Sequence, residues 1–112
     1  MTEPIAASPI QKPAVPEGKF VHLEGRGDIL VREFGGIPGA PTIILLHGWT
    51  ASADLNWYRS YRALGEQYRV VAFDHRGHAA GLRTKKAFRL EDCADDAADI
   101  ASALGLDSFI PV

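Results

Sequence analysis

Thr42-Ile43-Ile44-Leu45-Leu46 passes directly into His47-Gly48-Trp49-Thr50. Further along the chain, Arg69-Val70-Val71-Ala72-Phe73 passes directly into Asp74-His75-Arg76-Gly77-His78. Such runs, rich in Ile, Leu and Val and without polar alternation, are typical of strands that are buried on both faces of a parallel sheet. The sequence therefore predicts two parallel strands, each with a polar loop containing glycine and histidine at its carboxyl end.

The segment between these two runs has the spacing of an amphipathic helix. Its large side chains step by four, three and four residues: Trp57, Tyr61, Leu64 and Tyr68. That spacing places all four on one face of a helix. Asn56 or Asp54 is a suitable N-cap for it. Strand, helix and strand together predict a β-α-β unit.

A second helix is predicted from Leu90 to about Leu104. Acidic residues near its start complement the helix dipole, and Gly105 is a natural stop. Its predicted buried stripe comprises Cys93, Ala97, Ile100 and Leu104, backed by Ala94 and Ala101. A third parallel strand is predicted over residues 107–112.

The residues before the first run predict a β-hairpin. Residues 20–24 and 29–34 are strand-like and flank Gly25-Arg26-Gly27-Asp28, where glycines can supply positive φ. Residues 35–41 contain three glycines and two prolines and are predicted as a loop. The order is then hairpin, β, α, β, α, β, which predicts an α/β fold with parallel strands.

The length of 112 residues allows one small domain. Residues 1–19 hold four of the seven prolines and are predicted as a flexible leader, with residues 20–112 forming the domain. A strand at 107–112 without a following helix leaves a bare sheet edge and exposed apolar surface. We therefore expect either a continuation of the fold beyond this sequence or self-association through that edge.

Composition excludes several classes of function. A net charge of −2 and a pI of about 6.0 lack the basic excess that nucleic-acid binding requires. No stretch approaches the ~18 apolar residues of a membrane span, and residues 1–19 lack the features of a signal peptide. Cys93, the single cysteine, is compatible with a reducing compartment, so cytoplasmic localisation is expected. Arg83-Thr84-Lys85-Lys86 could attract an anionic partner, but such runs are more often solvated loops.

Two kinds of site can be considered from residue types alone. Asp74, His75 and His78 offer three metal ligands within five residues, and His47 is a further candidate. No second cluster supplies additional ligands, so no metal is expected.

A catalytic triad of Ser52, His78 and Asp74 has the right residue types. However, Ser52 is followed by Ala53-Asp54 and lacks the glycine-flanked turn that exposes a nucleophile. This triad is therefore disfavoured.

The order of the motifs resembles the front half of an α/β-hydrolase. The resemblance rests on His47-Gly48-Trp49 after a buried strand, on Asp74-x-Arg76-Gly77-His78 after the next strand, and on the closing Gly105-Leu106-Asp107-x-x-x-x-Val112. It covers residues 20–112. The family's next segment would be the nucleophile elbow, Gly-x-Ser-x-Gly, which this sequence lacks. The resemblance thus implies an incomplete α/β-hydrolase fold.

The resemblance also implies roles for particular residues. The main-chain N–H of Trp49 would be one oxyanion donor, in a loop shaped by His47, Gly48 and Thr50. A structural role is implied for the second loop: Asp74, Arg76, Gly77 and His78. The nucleophile, the acid and the catalytic histidine would lie outside this sequence, so the chain alone is expected to be inactive. The complete protein would hydrolyse a small-molecule ester without a cofactor.

Two positions depart from the family's pattern. Ala79 stands where the loop commonly has glycine, and a positive φ there would add strain of about 1 kcal/mol. Thr50 stands where epoxide hydrolases and dehalogenases usually have proline, which favours a serine esterase or lipase-like enzyme. The alternative hypothesis is a non-catalytic hydrolase remnant, or a small α/β interaction module that pairs through its sheet edge.

Overall fold

A five-stranded mixed sheet lies at the centre of the structure, a computed structural model that describes residues 14–112. The strands are β1 (Gly18–Leu23), β2 (Gly27–Gly35), β3 (Thr42–Leu45), β4 (Arg69–Phe73) and β5 (Ile110–Pro111). The helices are α1 (Ala53–Trp57), α2 (Tyr61–Gly65) and α3 (Leu90–Ala103). Most of the predicted leader, residues 1–19, lies outside the described residues, and β1 begins at Gly18.

The strand order is β1-β2-β4-β3-β5. β3 pairs in parallel with β4, with Ile43 opposite Val70 and Ile44 opposite Val71. β5 pairs in parallel with the other edge of β3. The predicted parallel strands are therefore confirmed, and the fold class is α/β.

The predicted hairpin is also confirmed. β1 and β2 pair antiparallel across a turn in which Gly25 has φ 74° and Gly27 has φ 117°, the left-handed region that glycine adopts without strain. β2 then pairs antiparallel with β4, with Val31 opposite Phe73. The hairpin thereby extends the parallel strands into a mixed sheet, a placement that the sequence did not predict.

Both faces of β3 and β4 are covered, as the apolar runs predicted. Ile44 and Val71 pack with the α3 residues Ala97 and Ile100 on one face. The opposite face carries a second cluster, which contains Ile43, Leu45, Ala53, Tyr61, Val70 and Ala72. The loops that follow these strands are consequently supported by a core on each side of the sheet.

The single helix predicted between β3 and β4 is wrong. The chain forms two five-residue helices, because the Ser60 N–H turns back to the Trp57 carbonyl at 2.8 Å and interrupts the helical ladder. The large side chains nevertheless pack on one cluster, as their spacing predicted: Trp57, Tyr61, Leu64 and Tyr68.

The predicted N-cap is wrong as well. Ser52 caps α1, since its hydroxyl accepts the Leu55 N–H at 3.1 Å. Asn56 and Asp54 have other partners.

Asp54 forms a two-bond ion pair with Arg32 of β2 and accepts the Tyr61 hydroxyl at 2.8 Å, which ties α1 to the sheet.

α3 confirms the second predicted helix, and Gly105 follows it with φ 71°. The predicted stripe is largely correct, with Cys93, Ala97, Ile100 and Ala101 buried. Leu104 is only partly buried and Ala94 is exposed. Asp96 is also buried, at 1% exposed, which the predicted stripe did not include.

β5 forms the edge of the sheet next to β3. The Val112 N–H donates to the Ile44 carbonyl at 2.9 Å, and the Leu46 N–H donates to the Val112 carbonyl at 2.8 Å. Ile110 and Val112 are about half exposed, at 51% and 49%. No helix among residues 14–112 is long and apolar enough to cross a bilayer.

Candidate functional site

The loops that leave β3 and β4 lie side by side, because these strands are parallel neighbours and end at the same edge of the sheet. Residues 46–52 form the first loop and residues 74–82 the second; we call them the β3 loop and the β4 loop. A cavity of about 250 Å³ lies between them and the start of α3. Ligands of open α/β sheets bind at this edge. It is therefore the candidate site.

The cavity is lined mainly by apolar and aromatic groups. Its lining residues are Leu46, His47, Gly48, Trp49, His75, His78, Phe88, Leu90, Cys93 and Ala94. Trp49 is 69% exposed and meets Phe88 edge to face, with 4.9 Å between ring centroids. Trp49 thus stands at the rim of the cavity and not in the core. Such an arrangement suits a small, largely apolar ligand.

Two larger grooves lie elsewhere on the surface, and ion pairs line part of each. The groove at the hairpin turn contains Arg26 and Arg76, which bind aspartates of α3. The groove beside β1 contains Glu33, which binds Lys19 and Arg69.

Backbone donors of the β3 loop are fixed on either side of Trp49. The Gly48 N–H donates to Asn56 Oδ1 at 2.7 Å, and the Thr50 N–H donates to His78 Nε2 at 3.1 Å. Thr50 has φ 60°, in the left-handed region. The Trp49 N–H itself donates to no acceptor among residues 14–112. The loop therefore presents one free donor between two that are engaged.

Asp74 joins the β4 loop to the start of α1, directly after the β3 loop. Its Oδ1 accepts the Ala53 N–H at 2.7 Å and its Oδ2 accepts the Ala80 N–H at 3.0 Å. A Cβ atom on Gly81 would collide with the His75 carbonyl oxygen, so only glycine fits where the β4 loop folds back on itself. Both carboxylate oxygens of Asp74 are thus occupied in holding backbone.

Ala79 adopts a positive φ, the case in which alanine at this position adds strain. Its φ is 36°, and Gly77 nearby has φ 77°. An alanine in this region is strained, since its Cβ crowds the following carbonyl. The bond from Ala80 to Asp74 is one of the contacts that hold the loop in this shape.

Arg76 lies beneath the β4 loop in a buried ion pair with Asp96 of α3. Two bonds of 2.7 Å join Arg76 Nε and Nη2 to the two carboxylate oxygens. Arg26 of the hairpin turn also donates to Asp96, at 2.6 Å. Burial acts to raise the pKa of Asp96, but the hydrogen bonds from the two arginines outweigh it and leave that pKa below its ordinary range. The network fastens turn, loop and helix together.

Three histidines meet at the base of the cavity. The ring centroids of His47 and His75 are 4.6 Å apart, and those of His47 and His78 are 4.9 Å apart. Burial and the two neighbouring imidazoles lower the pKa of His75 to about 4, so it is neutral at pH 7. His47 Nε2 accepts the His75 N–H at 2.8 Å.

The histidines are not arranged as a metal centre. Across residues 14–112, no group of three or more His, Cys, Asp or Glu side chains is placed to hold a metal ion. The Nε2 atoms of His47 and His78 already accept backbone N–H groups, which occupies the lone pairs that a metal would need.

The disfavoured triad is not assembled either. The Ser52 hydroxyl caps α1, and Asp74 binds the backbone of Ala53 and Ala80. His78 Nδ1 contacts the Arg76 carbonyl at 3.0 Å. No hydrogen bond joins Ser52, His78 and Asp74 to one another in the described part of the chain.

The sequence analysis did not identify three residues that surround this site: Asn56, Asp96 and Phe88. Asn56 resembled a helix cap and instead holds the β3 loop. Phe88 was overlooked because it follows a basic run, whose residues Arg83, Thr84, Lys85 and Lys86 are exposed as a solvated loop would be. The lone apolar ring at the end of that run was the available signal.

A family model described as the alpha/beta hydrolase fold matches residues 41–112. The chain belongs to this family. The match includes β3, β4, α3 and both loops of the candidate site. The resemblance drawn from the sequence is therefore confirmed, and the cavity lies at the end of the hydrolase sheet where the strands finish.

Three comparisons indicate the range of this hydrolase family. A proline iminopeptidase of Pestalotiopsis fici is 33% identical over 70% of the chain and 27% of the relative. A bifunctional esterase/perhydrolase of Acinetobacter calcoaceticus is 34% identical over 83% of the chain and 33% of the relative. A solved epoxide hydrolase structure from hot-environment metagenomes has a TM-score of 0.76 at 28% identity, covering 88% of this chain and 33% of that one. The chain spans about a third of the length of these relatives.

Proposed function

We propose that this chain forms the first part of an α/β-hydrolase that cleaves small carboxylic esters by nucleophilic acyl transfer. In this proposal the Trp49 N–H is one of two donors that stabilise the negative oxygen of the transition state. The second donor, the nucleophile, the acid and the catalytic histidine come from residues outside these 112. The free thiol of Cys93 supports placement of the protein in the cytoplasm.

The observation that carries the proposal is the free Trp49 N–H at the rim of an apolar cavity. Acyl transfer requires donors that are oriented before the oxyanion forms, since reorganisation during the reaction would weaken their effect. The bonds that hold Gly48 and Thr50 to Asn56 and His78, on either side of Trp49, support this role for the Trp49 N–H. The apolar lining supports an acyl group as the neighbouring ligand.

Thr50 supports ester over epoxide hydrolysis. Its φ of 60° is a conformation that proline, locked near −65°, cannot adopt. The backbone of the β3 loop therefore has a different conformation from that of a loop with proline at this position. The similarity to an esterase/perhydrolase also supports ester hydrolysis. The similarity to an epoxide hydrolase makes epoxides the competing substrate class.

Activity of the complete natural protein on matched substrates tests the reaction class. We expect hydrolysis of p-nitrophenyl acetate and butyrate by the complete protein, no hydrolysis of styrene oxide, and background rates for residues 1–112. Turnover of the epoxide without the esters would contradict the proposal. Ester turnover by residues 1–112 that Ser52→Ala abolishes would contradict the location of the nucleophile.

A pair of substitutions at one position tests the oxyanion donor. Trp49→Pro removes the N–H and is expected to lower kcat of the complete enzyme by about 10²–10³. Trp49→Ala keeps the N–H and removes only the indole, so we expect it to change KM more than kcat. Equal losses of kcat in the two variants would assign the effect to the ring and not to the donor.

A further inference from the structure

The two loops of the site hold each other through a reciprocal pair of imidazoles. His47, just after β3, accepts the backbone N–H of His75 in the β4 loop at 2.8 Å. His78, in the β4 loop, accepts the backbone N–H of Thr50 in the β3 loop at 3.1 Å. Each ring thus reaches across the cavity base to the other loop, and both use Nε2.

The contacts at the other ring nitrogens fix the tautomer. His47 Nδ1 lies 2.7 Å from the Gly48 carbonyl, and His78 Nδ1 lies 3.0 Å from the Arg76 carbonyl. A carbonyl oxygen can only accept and a backbone N–H can only donate. Both rings must therefore carry their proton on Nδ1 and leave Nε2 bare. Neutral histidine in this one tautomer satisfies all four contacts.

We propose that His47 and His78 are paired positioning residues that hold the β3 loop, and with it the Trp49 donor, only while both rings are neutral and protonated on Nδ1. Protonation of either ring would place a hydrogen on its Nε2, so that two donors, the Nε2–H and the backbone N–H, would face each other. The loops would then lose these two hydrogen bonds. The consequence for catalysis rests on the proposed function of Trp49, whereas the pairing of the loops does not.

The groups that face these rings are few. His75 of the β4 loop faces His47, with 4.6 Å between the ring centroids, and Cys93 of α3 lines the same cavity. The carboxylates of Asp74 and Asp96 act electrostatically on the ring of His75. Two positively charged rings at these separations would repel each other. Trp49 and Phe88 cover His78 edge to face at 5.2 and 5.9 Å, which limits the access of water to that ring.

Scalar couplings across hydrogen bonds test the proposal directly, because both bonds run from N–H to N. In the uniformly ¹⁵N-labelled natural protein at neutral pH, we expect couplings from Thr50 N to His78 Nε2 and from His75 N to His47 Nε2. The imidazole ¹⁵N shifts should report Nδ1–H for both rings. Lowering the pH should remove each coupling as the shift of its ring moves to the protonated value.

Two variants separate acceptance of the N–H from simple packing. His78→Gln places an oxygen near the position of Nε2 and should keep exchange of the Thr50 amide hydrogen slow. His78→Ala should speed that exchange by about tenfold, the effect of one hydrogen bond of ordinary strength. His22→Gln is the control, because His22 contacts only Asp28 and Glu24 on the exposed hairpin.

An Nε2–H tautomer on either ring, missing couplings at neutral pH, or equal exchange in the Gln and Ala variants would overturn the proposal. These readouts need no turnover. If ester hydrolysis is absent while both couplings are present, the proposed function fails and the reciprocal pair stands.

Discussion

The two loops at the end of the sheet are held by different kinds of interaction. The β4 loop rests on Arg76, whose charge is buried and bound through two hydrogen bonds to Asp96. The β3 loop is exposed from Gly48 to Thr50 and is held by neutral acceptors, the amide of Asn56 and the ring of His78. Hydrogen bonds to charged groups are roughly twice as strong as neutral ones.

Substitutions at the two loops should therefore have different effects: on the stability of the domain at the β4 loop, and on the Trp49 donor at the β3 loop. Loss of a partner from a buried ion pair leaves an uncompensated charge, so changes beneath the β4 loop should strongly destabilise the domain. Changes at the β3 loop should leave the fold intact and disturb the Trp49 donor. The β3 loop also depends on the β4 loop for one acceptor, whereas the core of the fold does not depend on the β3 loop.

The largest effect is expected at the buried pair. Asp96→Ala leaves Arg76 without its bidentate partner and should lower the free energy of unfolding by about 3–5 kcal/mol. Urea denaturation followed by circular dichroism measures this. Asp95→Ala, at an exposed position on the same helix, is the matched control and should be nearly silent. A loss below about 1 kcal/mol for Asp96→Ala, as for a surface ion pair, would remove the contrast between the loops.

Low pH should weaken the same ion-pair network of Asp96 and its arginine partners. The pKa of Asp96 is lower in the folded state than the value of about 3.9 expected on unfolding. Its stabilising contribution is therefore complete above that value and is lost as the pH falls through the lower, folded pKa. We expect the stability of Asp96→Asn to depend less on pH below about 4 than that of the wild type or Asp95→Asn. Equal slopes in all three proteins would contradict this assignment.

Asp74 ties the β4 loop to the start of α1, so its loss should have an intermediate effect. Asp74→Ala removes two backbone hydrogen bonds to a carboxylate and should destabilise the domain by about 2 kcal/mol. Asp74→Asn retains one acceptor oxygen and should lose about half as much. Thermal unfolding of the three proteins provides the comparison. Equal losses in the two variants would show that the charge, and not the pair of acceptors, is what matters.

Asn56 should have a smaller effect that is confined to the β3 loop. Asn56→Ala removes the acceptor of the Gly48 N–H and should cost about 1 kcal/mol or less, because the bond is exposed. Exchange of the Gly48 amide hydrogen should accelerate while amides of β3 keep their protection. Asn56→Asp retains an acceptor and should preserve slow exchange. Acceleration throughout β3 would mean that the loop supports the sheet after all.

The smallest expected change is a gain. Ala79→Gly removes the strain that the positive φ imposes on alanine in the β4 loop, which should stabilise the protein by about 0.5–1 kcal/mol. The greater conformational freedom of glycine in the unfolded chain should offset part of this gain. Ala80→Gly is the control, since Ala80 does not have a positive φ and should lose stability instead. Thermal unfolding resolves the two signs. A loss at Ala79 as large as at Ala80 would mean that the loop is not strained.

The sequence predicted those parts of the fold that depend on local pattern. The apolar runs identified β3 and β4, and the glycines marked the hairpin turn and the end of α3. The broken helix between β3 and β4 escaped detection because side-chain spacing records which residues face the core, not whether the backbone hydrogen bonds continue. Trp57 and Tyr61 lie on the predicted face although a turn separates their helices.

The site was predicted less completely, because its contacts join residues far apart in the chain. Asp96 is one of several acids in α3, and its burial depends on Arg76 and on Arg26, which is 70 residues away. The partners of His47 and His78 each lie 28 residues away. Nothing in the local spacing distinguishes these residues from solvent-exposed ones. Their roles follow only once the two loops are adjacent.

The position of the oxyanion is the most direct test of the account. A crystal structure of the complete natural protein with a phosphonate ester bound as a transition-state analogue would locate that oxygen. We predict that it lies within about 2.7–3.1 Å of the Trp49 nitrogen, with the alkyl group of the phosphonate in the cavity beside Phe88. A phosphonyl oxygen held wholly by other donors, with the Trp49 N–H directed to solvent, would contradict the central claim.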